Sequence, residues 1–163
     1  MNKRDFMEIM RQTHAPLKKM LEMVPDAELS WAPAKGFMTF GQLINHIAEN
    51  WCIVKMMVTN QWPFNSVEQM AEGMKLENIP SCSRQEAMAA AENDLKNGLA
   101  YVEHEITEED FFNKVVTAPW GFEGEIWKAV LMAQEHFLTH KMQLHLYLKL
   151  SGAPVNTATL YGG

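Results

Sequence analysis

"EHFLTHKMQLHLYLKL", residues 135–150, repeats apolar residues at helical spacing and places two histidines, His136 and His140, four positions apart. Residues four apart lie on the same face of an α-helix, one turn above the other. Two imidazoles at this spacing either pack within a helical core or supply two ligands to a metal ion. The choice depends on whether the rest of the chain supplies a third ligand.

Four amphipathic helices are predicted along the chain, from apolar residues that recur three and four positions apart. Two of them begin at capping boxes, Thr39 with Gln42 and Ser83 with Glu86. Pro16, which has no N–H to donate, is expected to kink the first helix. The predicted helices cover residues 3–23, 40–59, 84–106 and 124–150. We therefore expect an all-α four-helix bundle, with long connections between the second and third helices and between the third and fourth.

A single domain spanning residues 1–163 fits this length, since short Pro-containing connections and no interdomain linker separate the helical segments. The second long connection, "TEEDFFNKVVTAPWGFEGE" at residues 107–125, is expected to hold short extended pieces at 113–117. The fourth helix is expected to stop where Ser151 and Gly152 follow it.

Composition excludes several classes of partner and compartment. The net charge of −6 argues against a nucleic-acid or anionic-membrane partner, because both select a basic surface. No apolar run approaches the roughly 20 residues that span a bilayer, and the charged N-terminus contains no signal-peptide core. Cys52 and Cys82 form no CxxC pattern. These features predict a cytoplasmic protein.

A third histidine, His46, lies on the flank of the apolar face of the second helix. Alone it would be read as a core histidine with a satisfied hydrogen bond. Beside the inward-facing pair His136 and His140, it is also a candidate third metal ligand. Each semi-buried imidazole needs a polar partner, and one divalent ion would serve all three. His145 lies on the opposite side of its helix from His136, so we expect it at the surface or facing a partner.

Three segments resemble the DinB/YfiT-like family of metal-dependent enzymes. "LSWAPAKGFMTFGQLINHIAE", residues 29–49, is similar to the family's Trp-Pro loop and the capped helix that carries its first histidine. "HFLTHKMQ", residues 136–143, resembles its His-x-x-x-His-basic-x-Gln motif, and "SGAPVNTATLYGG", residues 151–163, resembles its Pro-containing tail. The family often has Arg-Gly after the last ligand, where this chain has Lys141 and Met142.

The resemblance implies a four-helix bundle with a metal ion on His46, His136 and His140, in a superfamily that includes thiol-dependent transferases and isomerases. It also implies a homodimer. Three neutral histidines leave a divalent ion an open position, as in catalytic sites, and both zinc and nickel accept imidazole nitrogen. Such an ion activates a water for hydrolysis or binds a thiol as thiolate for transfer.

Two further residues are weaker candidates for the site. Glu49, one turn beyond His46, is either a base or an orienting group, or else a solvated surface carboxylate. Gln143 shares the face of the two histidines and either hydrogen-bonds a ligand or substrate, or packs as a simple amide. No residue is assigned a catalytic role.

Three functional hypotheses follow. The first is an enzyme that uses a divalent metal, zinc or nickel, to act on a small molecule by hydrolysis or by thiol transfer with a low-molecular-weight thiol. The second is a non-catalytic bundle that binds metal and a small molecule. The third is a structural protein in which the histidines only pack. We expect the first; the substrate remains unassigned.

Overall fold

The computed structural model describes residues 2–162, most of which lie in α-helices. The helices are α1 (Lys3–His14), α2 (Pro16–Glu22), α3 (Phe40–Ala48), α4 (Cys52–Thr59), α5 (Val67–Gly73), α6 (Arg84–Asp94), α7 (Ala100–Glu105), α8 (Glu108–Asn113) and α9 (Ile126–Leu150). Two short antiparallel strands, β1 (Val115–Thr117) and β2 (Glu123–Glu125), form a hairpin before α9. The prediction of a mostly helical protein is confirmed, and a small sheet is added to it.

The helix boundaries that depend on local chemistry agree with the sequence. The Thr39–Gln42 and Ser83–Glu86 capping boxes are both formed, and they begin α3 and α6. The first helix breaks at Ala15, immediately before Pro16, because proline cannot donate the backbone hydrogen bond that would continue it. The long connections are partly ordered, since α5 lies in the first and α8 with the hairpin in the second.

The second predicted helix is interrupted at residues 49–51, where the sequence indicated no break. α3 ends at Ala48 and α4 begins at Cys52. The buried Asp94 carboxylate accepts the backbone N–H groups of Asn50, Trp51 and Cys52 at 3.0, 2.7 and 2.7 Å. A side chain from another helix therefore satisfies the N–H groups that the start of α4 leaves without helical partners.

The third helical stretch contains a π-helical turn, Leu95–Leu99, between α6 and α7. Within it, Gly98 lies directly against the break in the second helix. A Cβ atom built on Gly98 would be 2.4 Å from the carbonyl carbon of Trp51 and 2.6 Å from the backbone N of Cys52. Only glycine allows the two backbones to approach this closely.

The core lies where α9 packs against α2, α3 and α4, and where α6 packs against α2 and α3. Its largest side chains with almost no exposure are Trp51, Phe40, Phe111 and Phe137, joined by Met7, Met10 and Met20. The methionines thus fill irregular spaces in a helical core, as flexible thioethers do elsewhere. No helix in the described part of the chain is long and apolar enough to cross a membrane.

Gly98→Ala is expected to destabilise the protein by about 1–3 kcal/mol, because the added methyl group overpacks the contact with the break. The matched control is Gly73→Ala at the end of α5, where an added Cβ meets nothing within 4 Å. Urea unfolding of both variants measures the difference. A Gly98→Ala protein as stable as Gly73→Ala would contradict the close approach described here.

Candidate metal centre

The imidazoles of His46, His136 and His140 converge between α3 and α9. The Nε2 atoms of His46 and His136 are 3.0 Å apart. The ring of His140 lies with its centroid 4.5 Å from each of the other two. One ligand nitrogen from each histidine lies within 4.8 Å of the others, so the three side chains are placed to hold a metal ion.

The tautomer of His136 is fixed by Asn50. The carboxamide nitrogen of Asn50 donates to the backbone carbonyl of Ala133 at 3.1 Å. A carbonyl can only accept, so the amide oxygen must face the other way, toward Nδ1 of His136 at 2.8 Å. Nδ1 of His136 therefore carries the proton and donates it to Asn50, which leaves Nε2 with a free lone pair.

The tautomer of His140 is fixed by a chain that also ends on a backbone carbonyl. The hydroxyl of Tyr147 donates to the carbonyl of Met38 at 3.0 Å, so it accepts from the amide nitrogen of Gln143 at 3.3 Å. The amide oxygen of Gln143 then accepts from Nδ1 of His140 at 2.9 Å. His140 is thereby left with a free lone pair at Nε2, as His136 is.

The chemistry of these donors fits a divalent cation. Because Nδ1 of His136 carries that ring's proton, the 3.0 Å contact between its Nε2 and Nε2 of His46 is a hydrogen bond that His46 donates. A cation that displaces this proton would bind the Nε2 lone pairs of all three rings together. At a typical metal–nitrogen distance of about 2.1 Å, two ligand nitrogens stand roughly 3.0 Å apart at a right angle and roughly 3.4 Å apart at a tetrahedral angle. The 3.0 Å separation of His46 and His136 is close to both values.

Burial keeps His46 and His136 neutral. Desolvation, reinforced by the neighbouring His140, lowers the pKa of His46 to about 4. Desolvation together with His140 and His46 lowers the pKa of His136 to about 4. Metal binding requires the unprotonated imidazole, so at neutral pH protons do not compete for these two nitrogens.

The weaker candidates separate in the structure. Gln143 contacts His140 directly, whereas Glu49 is exposed. Among described contacts, no hydrogen bond joins the Glu49 carboxylate to the three histidines; its backbone carbonyl accepts from the thiol of Cys52. Sequence reasoning missed Asn50, although its position four residues after His46, on the same helical face, was a usable signal.

Two basic residues of α9 point away from the site. Lys141 is 6% exposed, and its ammonium donates to the carbonyls of Thr13 and Leu160, so it ties the C-terminal turn to α9 and α1. The expectation that His145 lies at the surface or faces a partner is wrong. It is 4% exposed, and its Nδ1 has no hydrogen-bond partner among the described residues.

The fold is similar to those of solved DinB-like proteins. A DinB-like protein from Bacillus cereus ATCC 10987 aligns with a TM-score of 0.75 at 16% identity, over 95% of this chain and 96% of that one. A DinB-like protein from Bacillus subtilis aligns with a TM-score of 0.67 at 15% identity, over 93% and 94%. A mycothiol-dependent maleylpyruvate isomerase aligns with a TM-score of 0.63 at 17% identity, over 84% of this chain and 58% of that longer one.

Curated proteins of known function yield no match to the sequence. The family model of the DinB superfamily, in contrast, matches residues 9–147. That match covers more than half of the chain and includes all three converging histidines. The chain therefore belongs to the DinB superfamily.

Proposed function

We propose that this protein is a metal-dependent enzyme that acts on a small molecule through one divalent ion, zinc or nickel, held by His46, His136 and His140. The observation that carries the proposal is the pair of anchored tautomers, which leaves the Nε2 lone pairs of His136 and His140 free. A hydrogen-bond acceptor on the ring nitrogen that does not bind the metal commonly orients metal-ligating histidines.

The scaffold that we propose is a four-helix bundle in one domain spanning residues 1–163. Three of its helical arms are interrupted, since α1 and α2, α3 and α4, and α6 and α7 each follow one another across a break. The fourth arm is α9, which packs against α2, α3 and α4. The ligands come from two neighbouring arms, so the ion would bridge α3 and α9.

The reaction that we propose is thiol transfer, with hydrolysis as the second candidate for the same ligand set. A divalent ion held by the three histidines would keep open positions and would lower the pKa of a coordinated thiol or water. In thiol transfer the S–H bond loses its proton to a base, and the sulfur electron pair forms a bond to an electrophilic carbon. The leaving group departs with the electrons of its broken bond.

The chain's own groups divide the remaining work. Asn50 and Gln143 hold the rings of His136 and His140 in the tautomer that a metal needs. For Glu49 we propose the role of proton acceptor, because its exposed carboxylate is open to a substrate and lies at the end of the helix that carries His46. The thiol-dependent isomerase among the structural neighbours supports a low-molecular-weight thiol as cosubstrate.

Metal analysis tests the site. We expect about one divalent ion per chain in protein dialysed against zinc or nickel, and its loss in His46→Ala and His136→Ala, because each removes one of three ligands. His104→Ala is the matched control, since His104 is exposed and lies beside Glu103 far from the site in sequence. Wild-type protein without metal, or His136→Ala with unchanged metal content, would contradict the proposed ligand set.

Turnover tests the reaction. With a small thiol and an aryl halide as electrophile, we expect thiol-conjugate formation that stops on chelation and returns with zinc or nickel. Glu49→Gln should keep its metal and slow the reaction by roughly 10²-fold or more, the usual contribution of a general base. If metal-loaded protein forms no product with panels of thiol acceptors and hydrolysable esters, the protein is a non-catalytic bundle that binds metal and a small molecule.

We also propose a homodimer, covering an apolar stripe on the side of α9 that faces away from the core. Its members are each at least 39% exposed: Leu131, Leu138, Met142, Leu146 and Leu150. Large apolar surface patches commonly mark protein–protein interfaces.

Light scattering should give twice the mass of one chain for wild type. Leu138→Lys combined with Leu146→Lys should give one chain mass with metal content unchanged, because charges would then lie within the stripe. Val67→Lys, at an exposed valine of α5, is the control. A monomeric wild-type protein, or a dimer that the double variant leaves intact, would rule out this interface.

A further inference from the structure

We propose that Asp94, on the third helical arm, positions His136 for metal binding and acts through Asn50. Its functional consequence rests on the proposed metal site, but the ring orientation it sets is a property of the metal-free chain. Asp94 and Asn50 are each 3% exposed, and neither was singled out by the sequence.

The first step is the contact between Asp94 and the helix break. Oδ2 of Asp94 accepts from the backbone N of Asn50 and of Trp51, and Oδ1 accepts from the backbone N of Cys52. Burial raises the pKa of the Asp94 carboxyl, and the three N–H donors oppose that rise because they stabilise its ionised form. Hydrogen bonds to an ionised acceptor are stronger than those between neutral groups. Three such bonds to consecutive residues fix the path of the backbone through the break, and with it the position of the Cα atom of Asn50.

The second step is the orientation of the Asn50 side chain. Its amide is held at both ends, by the carbonyl of Ala133 and by Nδ1 of His136. A side chain with two partners on α9 reaches both only if its backbone stays where Asp94 holds it. Asp94 therefore influences the ring of His136 without touching it.

The third step is the contrast between the two histidines of α9. The partner of His140 is Gln143, which lies on the same helix and is only half-buried. The partner of His136 is Asn50, which lies between α3 and α4 and is itself held by Asp94 of α6. A disturbance at Asp94 should therefore loosen the ring of His136 and leave that of His140 unchanged.

Nitrogen NMR on metal-free wild-type protein with ¹⁵N-labelled histidine tests the orientation without any substitution. We expect both rings to carry the proton at Nδ1, and the Nδ1–H of His136 to exchange with solvent at least tenfold more slowly than that of His140, since its partner is buried. Equal or faster exchange at His136, or a proton on its Nε2, would overturn the proposal.

A double-mutant cycle tests the route through Asn50. We expect Asp94→Asn and Asn50→Ala each to weaken zinc binding, measured by chelator competition, by about tenfold or more. The double variant should bind no more weakly than Asn50→Ala alone, because Asp94 has nothing further to position. Glu92→Gln, an exposed carboxylate of the same helix, is the control and should bind zinc as wild type does.

The outcomes distinguish this inference from the proposed function. Additive losses in the double variant, or a folded Asp94→Asn protein with wild-type zinc affinity, would overturn the role of Asp94 while leaving the metal site intact. Wild-type protein that binds no metal would overturn the proposed function, and the NMR exchange rates would still decide the positioning of His136. If Asp94→Asn does not fold, the same exchange rates are measured in Asp94→Glu, which keeps the carboxylate and displaces it; exchange at His136 as slow as in wild type would then overturn the proposal.

Discussion

Each imidazole between α3 and α9 needs a partner for both of its ring nitrogens, and this requirement organises the site. A buried polar group without a hydrogen bond costs roughly 1–3 kcal/mol, so three half-buried rings side by side would be a liability in an apolar core. Asn50 and Gln143 meet part of the requirement, because their amide oxygens accept hydrogen bonds from Nδ1 of His136 and Nδ1 of His140. Nε2 of His46 and Nε2 of His136 share one hydrogen bond, and a cation that displaced its proton would bind both of them together with Nε2 of His140.

Asn50, the partner of His136, lies within the break between α3 and α4. A break leaves backbone N–H groups without partners, and here a carboxylate from α6 accepts three of them. The π-helical turn and Gly98 bring the third arm close enough for this contact. Several departures from regular helix thus occur together, and π-helical turns are frequent near functional sites. Local irregularity and the candidate site have a common structural origin.

The sequence was sufficient to predict where helices begin and which residues share a helical face, because these features depend on residues a few positions apart. The capping boxes begin α3 and α6 because their hydrogen bonds span three residues, and the spacing of His136 and His140 places both on one face of α9. The break after Ala48 could not be read in this way, because its partner Asp94 lies more than 40 residues further along. Periodicity says which residues share a face but not which distant side chain will cap them.

His145 shows the complementary failure. The helical wheel gives a direction relative to His136, and it says nothing about segments outside the helix. The C-terminal turn Thr157–Tyr161 packs against α9, and Lys141, one turn before His145, donates to the carbonyl of Leu160 within that turn. The C-terminal turn therefore covers part of a face of α9 that the helical wheel alone assigns to solvent.

The cysteines help to decide where a reactive sulfur would come from. Burial, reinforced by the nearby Asp94, raises the pKa of Cys52 to about 12. Burial, reinforced by Glu86, raises the pKa of Cys82 to about 11. The thiolate is the nucleophilic form of a thiol, so at neutral pH neither side chain supplies one. Imidazole ligands carry no negative charge, so a cation held by these three side chains would keep its full positive charge for an anionic partner. Thiol chemistry at this centre would therefore draw its thiolate from a small molecule that enters the site, and the chain would supply the three histidines that hold the cation.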